Sequence, residues 1–214
     1  MIKQVIKQKF NKDEIKSLPT IEFQGRIFVI NNIFDTKKAV DYLMGQNILG
    51  IDTETKPSFK KGQKNKVALL QIATHDTAFL FQLKFTGFTD DIVKLLENKN
   101  ITKVGLSLKD DLRALGERRQ FTPVNFVDIQ DEVRNLGIDD LSLQKIYANL
   151  FAKKISKRKQ LSNWNAEILD EGQKKYAAFD AVACIEIYEK LQELKKTHNY
   201  SLERYITTKT EKDK

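Results

Sequence analysis

The sequence is poor in the residues that staple small or secreted domains. A single cysteine, Cys184, in 214 residues excludes an intramolecular disulfide. With only two histidines, His75 and His198, beside that one cysteine, it cannot assemble a structural His/Cys zinc site, which takes four such ligands. Three prolines and nine glycines exclude a collagenous chain or a low-complexity linker. No apolar run approaches the roughly eighteen residues that a membrane-crossing helix needs, so no membrane partner is expected. The N-terminal residues 1–9 are basic and lack the apolar stretch of a secretion signal. A reducing cytoplasm is therefore the expected compartment. No G-x-x-x-x-G-K-[ST] stretch occurs, so no P-loop motor is encoded.

Charge is what the sequence has in excess. Lys and Arg total 37 against 29 Asp and Glu, a net charge of +8. That excess suits a polyanionic partner, and it equally suits a solvated basic face. The length is ample for one domain with a closed core.

Short β-type runs lie at 27–30, 48–54, 67–73, 77–81, 103–106 and 124–129, with a turn at His75-Asp76 between the third and fourth. Helical spacing is expected over 35–43, with Asp35 or Thr36 as its cap, over 90–96, and from 109 to 115. From 141 to about 196 the pattern reads as helical throughout. Strands that lead, then alternate with helices, then give way to them predict an α/β layered domain on one central sheet. Residues 1–19, with Ile2, Val5, Ile6 and Phe10 at roughly helical spacing, are expected to form a short helix or arm. Residues 20–195 form the expected domain, and 196–214, rich in Lys, Thr and Glu, a charged tail.

Three segments place acids at the edge of buried surface. In 48–54 the apolar strand runs into Asp52-Thr53-Glu54, and strand geometry sends Asp52 and Glu54 to one face. An isolated D-x-E of this kind is ordinarily a solvated strand end. In the second segment Leu108, Leu112 and Leu115 define an apolar helix stripe that Asp111 borders, whereas Asp110 falls on the far side. In the third, Tyr176 and Asp180 are four residues apart, on the same face as Ala183, Ile187, Leu191 and Leu194. There a carboxylate bonded to the neighbouring hydroxyl would be the ordinary reading. Taken together, the four acids form an oxygen-only set suited to hard cations such as Mg²⁺ or Mn²⁺. Two such ions about 4 Å apart can stabilise both the attacking and the leaving oxygen of a phosphoryl transfer.

Asp52-Thr53-Glu54, Val104-Gly105 leading to Asp111-Leu112, and Tyr176-Ala177-Ala178-Phe179-Asp180 resemble, in order, the three motifs of the DEDDy 3′–5′ exonucleases. Lys66 to Ile72 resembles the strand after the first motif, and Leu161-Ser162-Asn163-Trp164 the segment before the third. The likeness covers about residues 20–195. It implies a ribonuclease H-like fold, a mixed five-stranded sheet flanked by helices. It also implies two divalent ions, Mg²⁺ or Mn²⁺, with Asp52, Glu54 and Asp180 ligating the one that activates water. Asp52 would bridge to the second, Asp111 would complete the site, and Tyr176 would orient the water. A sister subfamily has histidine five residues before its last Asp; Lys175 stands there. The residue two after Asp111 is Arg113, where Werner-type domains carry tryptophan.

The product implied is a nucleoside 5′-monophosphate released from a 3′ end. Single-stranded or 3′-recessed DNA is the favoured substrate, because ribonuclease D-like proteins carry further helical domains that are not seen here. RNA processing, or a catalytically silent binding module on the same fold, are the alternatives. A helicase or repair partner would act in trans. Oligomeric state is left open.

Two basic runs could meet phosphates. Lys56, Phe59, Lys60, Lys61 and Lys64 follow the first motif, with Phe59 available to stack on a base. Lys153 to Lys159 forms the second run. Both are equally readable as solvated lysines. Trp164 and Cys184 read as core residues.

Overall fold

The computed structural model describes residues 3–57 and 65–205. The chain begins with β1 (Gln4–Lys7), α1 (Lys12–Ser17), β2 (Thr20–Ile21), β3 (Arg26–Ile30) and α2 (Ile33–Leu43). Then come β4 (Ile48–Thr55), β5 (Val67–Ala73), β6 (Thr77–Gln82), α3 (Leu83–Thr86) and α4 (Asp90–Leu96). β7 (Thr102–Gly105), α5 (Leu108–Gly116), β8 (Phe126–Asp128), α6 (Ile129–Arg134) and α7 (Leu143–Phe151) follow. β9 (Lys154–Ile155), α8 (Glu171–Thr197) and β10 (Tyr200–Glu203) complete the order.

One mixed sheet organises the domain, with strand order β3-β6-β5-β4-β7-β8. β4, β5 and β6 run antiparallel to their neighbours in that trio, and the remaining pairs are parallel. Every residue of β5 and β6 is buried, which is why both read as continuous apolar runs rather than alternating ones. The fold is ribonuclease H-like, but its sheet has six strands where five are expected. The extra strand is β3, which lies parallel to β6 at the edge. Each β-type run seen in the sequence finds a place in this one sheet.

The sheet separates two apolar layers. On one face Leu49, Ile51, Leu70, Ile72 and Phe81 meet α2 and α4. On the other, Ala73, Ala78 and Val104 meet α6, α7 and α8. Along β4 the odd positions serve the first layer, so Gly50, Asp52 and Glu54 face α8. A capping box between Asp170 and Gln173 starts α8. His198, in the left-handed region at φ 50°, ends it. Among the described residues no helix is long and apolar enough to cross a membrane.

α8 lies unusually close to the sheet. A Cβ on Gly50 would run into the backbone carbonyl of Ala181. Ala177, Ala178, Ala181 and Ala183 are fully buried, so short side chains on the helix and a bare Cα on the strand make the contact together.

The structure departs from the sequence expectations at both ends and in one long stretch. Residues 3–10 are not helical. Gln4–Lys7 is a strand with Ile6 buried and Val5 exposed, and the helix starts only after the cap Asn11. Its partner is β10, paired in parallel, so residues 200–203 belong to a strand rather than to a tail. The run 141–196 is broken: Ala152 turns left-handed at φ 52°, β9 pairs with β2, and regular helix resumes at Glu171. α2 is capped by Asn32, not by Asp35 or Thr36, and Asn32 accepts the Asp35 N–H at 2.8 Å. Trp164 and Cys184 are core residues, as expected.

Gly50→Ala is expected to destabilise the protein by about 2–3 kcal/mol in urea unfolding, an overpacking cost. Adding Ala181→Gly should not restore stability, because the clash is with backbone. An unchanged unfolding midpoint in Gly50→Ala would show that α8 does not seat there.

Candidate active site

β4 overhangs its neighbour. Ile48, Leu49 and Gly50 pair with β7, whereas the strand continues to Thr55 beside β5 alone. The three motif residues Asp52, Thr53 and Glu54 lie on this overhang. Past the end of β7 the chain turns sharply through Ser107, left-handed at φ 61°, and α5 begins at Leu108. The first turn of α5 therefore stands next to the overhang. Gly105 makes this possible, because a Cβ there would meet the Ile51 carbonyl and the Leu108 side chain.

Asp52 and Glu54 on β4 and Asp180 on α8 each offer a carboxylate oxygen within 4.8 Å of the others. Asp180 is buried at 6% exposure. It is placed by its neighbour in sequence, since Ala181 is the residue seated on Gly50. Asp111 joins from α5 and is held by the Thr53 hydroxyl, which donates to it at 2.5 Å. Asp110 instead points away, exposed and paired with Arg113 at 3.0 Å. The two adjacent acids are thereby told apart. Arg113 is committed to the same surface pair.

Tyr176 lies one turn before Asp180 and half-buried beside it, its ring against Trp164 at a centroid distance of 5.9 Å. The open side of the acid group is a cleft of about 290 Å³. Ser142, Gln144, Ile155, Lys157 and Gln160 also line it.

Electrostatically the site is loaded. Burial, followed by the charges of Asp180 and Asp111, pushes Glu54 up to about 9. Asp52 is raised well above the carboxylate range by burial and then by Asp180, Asp111 and Glu54. Burial pushes Asp180 up to about 7, against the lowering influence of the Tyr176 hydroxyl and of Lys157. Burial raises Asp111 to about 6, offset by the Thr53 hydroxyl. Burial and the neighbouring carboxylates raise Tyr176 as well, so its hydroxyl stays protonated. Such a group of acids is relieved by a cation between them, and three converging carboxylates with no sulfur or imidazole fit a hard divalent ion, with Asp111 standing beside them.

Two supporting residues had no distinctive signal in the sequence. Thr53 looks like a spacer between acids but anchors Asp111 from the other face of β4. Asp128, at the end of β8, accepts the N–H groups of Ser107 at 3.0 Å and Leu108 at 2.8 Å, and that of Gln130 at 2.9 Å. It thus caps α6 and fixes the start of α5 together. Of the first basic run, Lys56 is exposed two residues past Glu54. Phe59, Lys60, Lys61 and Lys64 lie outside the described residues.

A mixed sheet carrying clustered acids at a strand end, with a tyrosine one helical turn from the last acid, defines a ribonuclease H-like nuclease domain. The chain belongs to the 3′–5′ exonuclease family, whose profile matches residues 27–195, and to the type with tyrosine in the third motif. It is 31% identical over 189 residues to the mouse bifunctional 3′-5′ exonuclease/ATP-dependent helicase WRN, covering 83% of this chain and 13% of that protein. It is 27% identical to a 3′-5′ exonuclease of Arabidopsis thaliana, covering 84% of this chain and 68% of that one. The Aedes aegypti Nibbler EXO domain shares the fold with a TM-score of 0.77 at 18% identity, over 85% of this chain and 95% of that one. Escherichia coli RNase D does so with a TM-score of 0.71 at 18% identity, over 82% and 46%.

The raised carboxyls fix the sign of a pH effect. Unfolded, these groups titrate near 4; folded, they hold their protons to about 6, 7 and 9 for Asp111, Asp180 and Glu54. The folded state thus binds more protons across that window, and metal-free stability falls as pH rises through it. Melting curves from pH 5 to 9 should show the decline with chelator present, and saturating Mn²⁺ should flatten it. Identical slopes with and without Mn²⁺ would mean that the acids hold no cation.

Proposed function

We propose that the protein hydrolyses nucleic acid stepwise from the 3′ end, releasing nucleoside 5′-monophosphates by a two-metal-ion mechanism. The convergence of Asp52, Glu54 and Asp180, with Tyr176 one turn away, carries this reading. Asp52, Glu54 and Asp180 would hold one ion, Asp52 would reach a second, and Asp111 would complete the set. Two Mg²⁺ or Mn²⁺ ions, when bound, supply positive charge to the attacking and leaving oxygens.

The chain's own groups do the rest. The carboxylates fix where the phosphodiester must lie. Tyr176 keeps its proton and can orient a water by hydrogen bonding, in a position set by the Trp164 ring behind it. Lys157, which also lines the cleft, would offer a cation to a bound phosphate. A silent binding module is disfavoured because all four acids and the tyrosine are present and three of the acids converge.

DNA is the polymer we favour. The relatives that share 30% identity or more include the mouse exonuclease/helicase and Aquifex aeolicus DNA polymerase I. The mouse relative joins both activities in one chain, which suggests a helicase as a partner class in trans. RNA trimming is the second reading, in keeping with the ribonuclease D neighbours, whose 18% identity speaks for the fold and not for the sugar.

The test is a 5′-labelled ladder on single-stranded DNA, 3′-recessed DNA and matched RNA, with Mg²⁺ or Mn²⁺. Shortening from the 3′ end is expected, abolished by chelator and by Asp180→Asn. Tyr176→Phe should lower kcat by about 100-fold with a small change in KM. If no substrate shortens while the folded protein still binds DNA, the binding-module reading takes over.

A further inference from the structure

Building on the exonuclease reading of the acid cleft, we propose that a second cavity beside it binds the substrate backbone on the 5′ side of the scissile bond. Arg158, Lys159 and Lys175 would meet its phosphates.

This cavity has a volume of about 260 Å³ and shares two walls, Ile155 and Tyr176, with the acid cleft. A single stretch of chain serves both. Lys157 and Gln160 line the acid cleft, whereas Ser156, Arg158 and Lys159 line the second cavity. The second basic run of the sequence therefore straddles the ridge between the two. Lys175, one residue before Tyr176, faces the second cavity.

The charge balance in the second cavity is opposite to that of the first. It presents three cations against one carboxylate, Glu22. Among the described residues Arg158 has no carboxylate within ion-pair distance. Lys159 pairs with Asp170 and Lys175 with Glu22, but all four side chains are more than a third exposed. Exposed pairs of this kind are weak, so a phosphate can take over either lysine. Phe179 offers apolar surface in the same cavity.

The polarity of the reaction sets the direction. Removal from the 3′ end puts the terminal nucleotide among the carboxylates, and everything beyond it lies 5′. A strand with one negative charge per nucleotide must leave an acidic cleft over cationic ground, and the ridge at Ile155 and Tyr176 leads there. Backbone contacts carry no sequence preference, so this subsite would bind any single strand with salt-dependent affinity.

The experiment compares wild type with Arg158→Gln/Lys159→Gln on two substrates: a dinucleotide without a 5′ phosphate, which has no phosphate on the 5′ side of the scissile bond, and single-stranded DNA of about twenty nucleotides. In the variant, KM for the long strand should rise about tenfold at 0.1 M salt. The slope of log KM against log salt should shrink by about 1.4, since each contact to a single strand contributes about 0.7. kcat on the long strand and kcat/KM on the dinucleotide should stay within about twofold. Arg158→Gln alone, which breaks no ion pair, should give about half the slope change and guards against misfolding of the double variant. An unchanged KM and slope on the long strand overturns the subsite, as does an equal loss on both substrates. Failure of the wild type to cleave even the dinucleotide with Mn²⁺ would instead remove the exonuclease reading, and the subsite with it.

Discussion

The seating of α8 on Gly50 is the constraint on which the site depends. Helix and sheet meet there with no side chain between them, because the strand supplies a bare Cα and the helix supplies Ala181. A backbone contact of this kind has almost no play, since packed interiors accommodate even a methyl group poorly. Asp180 is adjacent to Ala181 in the chain, and Asp52 is two residues on from Gly50, on the same face of β4. Two carboxylates from segments more than a hundred residues apart are thus fixed relative to each other by one close contact.

That precision works against stability. Folding must take these carboxyls out of water, which raises Asp52, Glu54 and Asp180, and the neighbouring carboxylates add to the rise at Asp52 and Glu54. The surroundings make it tolerable. β5 and β6 are buried along their whole length, and the apolar layers on both faces of the sheet dominate the interior. A large conventional core can carry a small region of unfavourable electrostatics, which is how functional sites commonly stand within stable folds.

The strands of the sheet were legible because each carries its own apolar run, and the acids because period-two and period-four spacing reveal shared faces. Asp52, Glu54, Tyr176 and Asp180 could therefore be grouped before their distances were known. Asp111 was separable from Asp110 by the leucine stripe together with the Asp-Leu step of the second motif. What escaped depends on partners distant in sequence. β1 is four residues long and exists as a strand because β10 lies beside it, so its local spacing passes equally well for a helical turn. The break between α7 and α8 rests on Ala152 in a left-handed conformation, for which alanine gives no warning. The five-stranded sheet implied by the resemblance was one strand short, although the run at 27–30 that forms β3 was itself legible. Asp128 is invisible as a support because its role lies in two N–H groups twenty residues upstream.

The fourth acid shows how the site limits its own repulsion. Asp111 does not enter the cluster made by the other three; it is held off by the neutral hydroxyl of Thr53, on the opposite side of β4. Its carboxyl rises only to about 6, against about 9 for Glu54, since the hydroxyl favours its charged form. A site with all four acids in mutual contact would drive more of them to the protonated state, and a protonated acid is a poor ligand for a hard cation. Placing one acid aside leaves its carboxyl lower than that of Glu54. Asp128 makes this arrangement firm, because it ties down the turn that sets where α5 begins. The fold thereby separates a close group of three acids from a fourth that the Thr53 hydroxyl favours in its charged form.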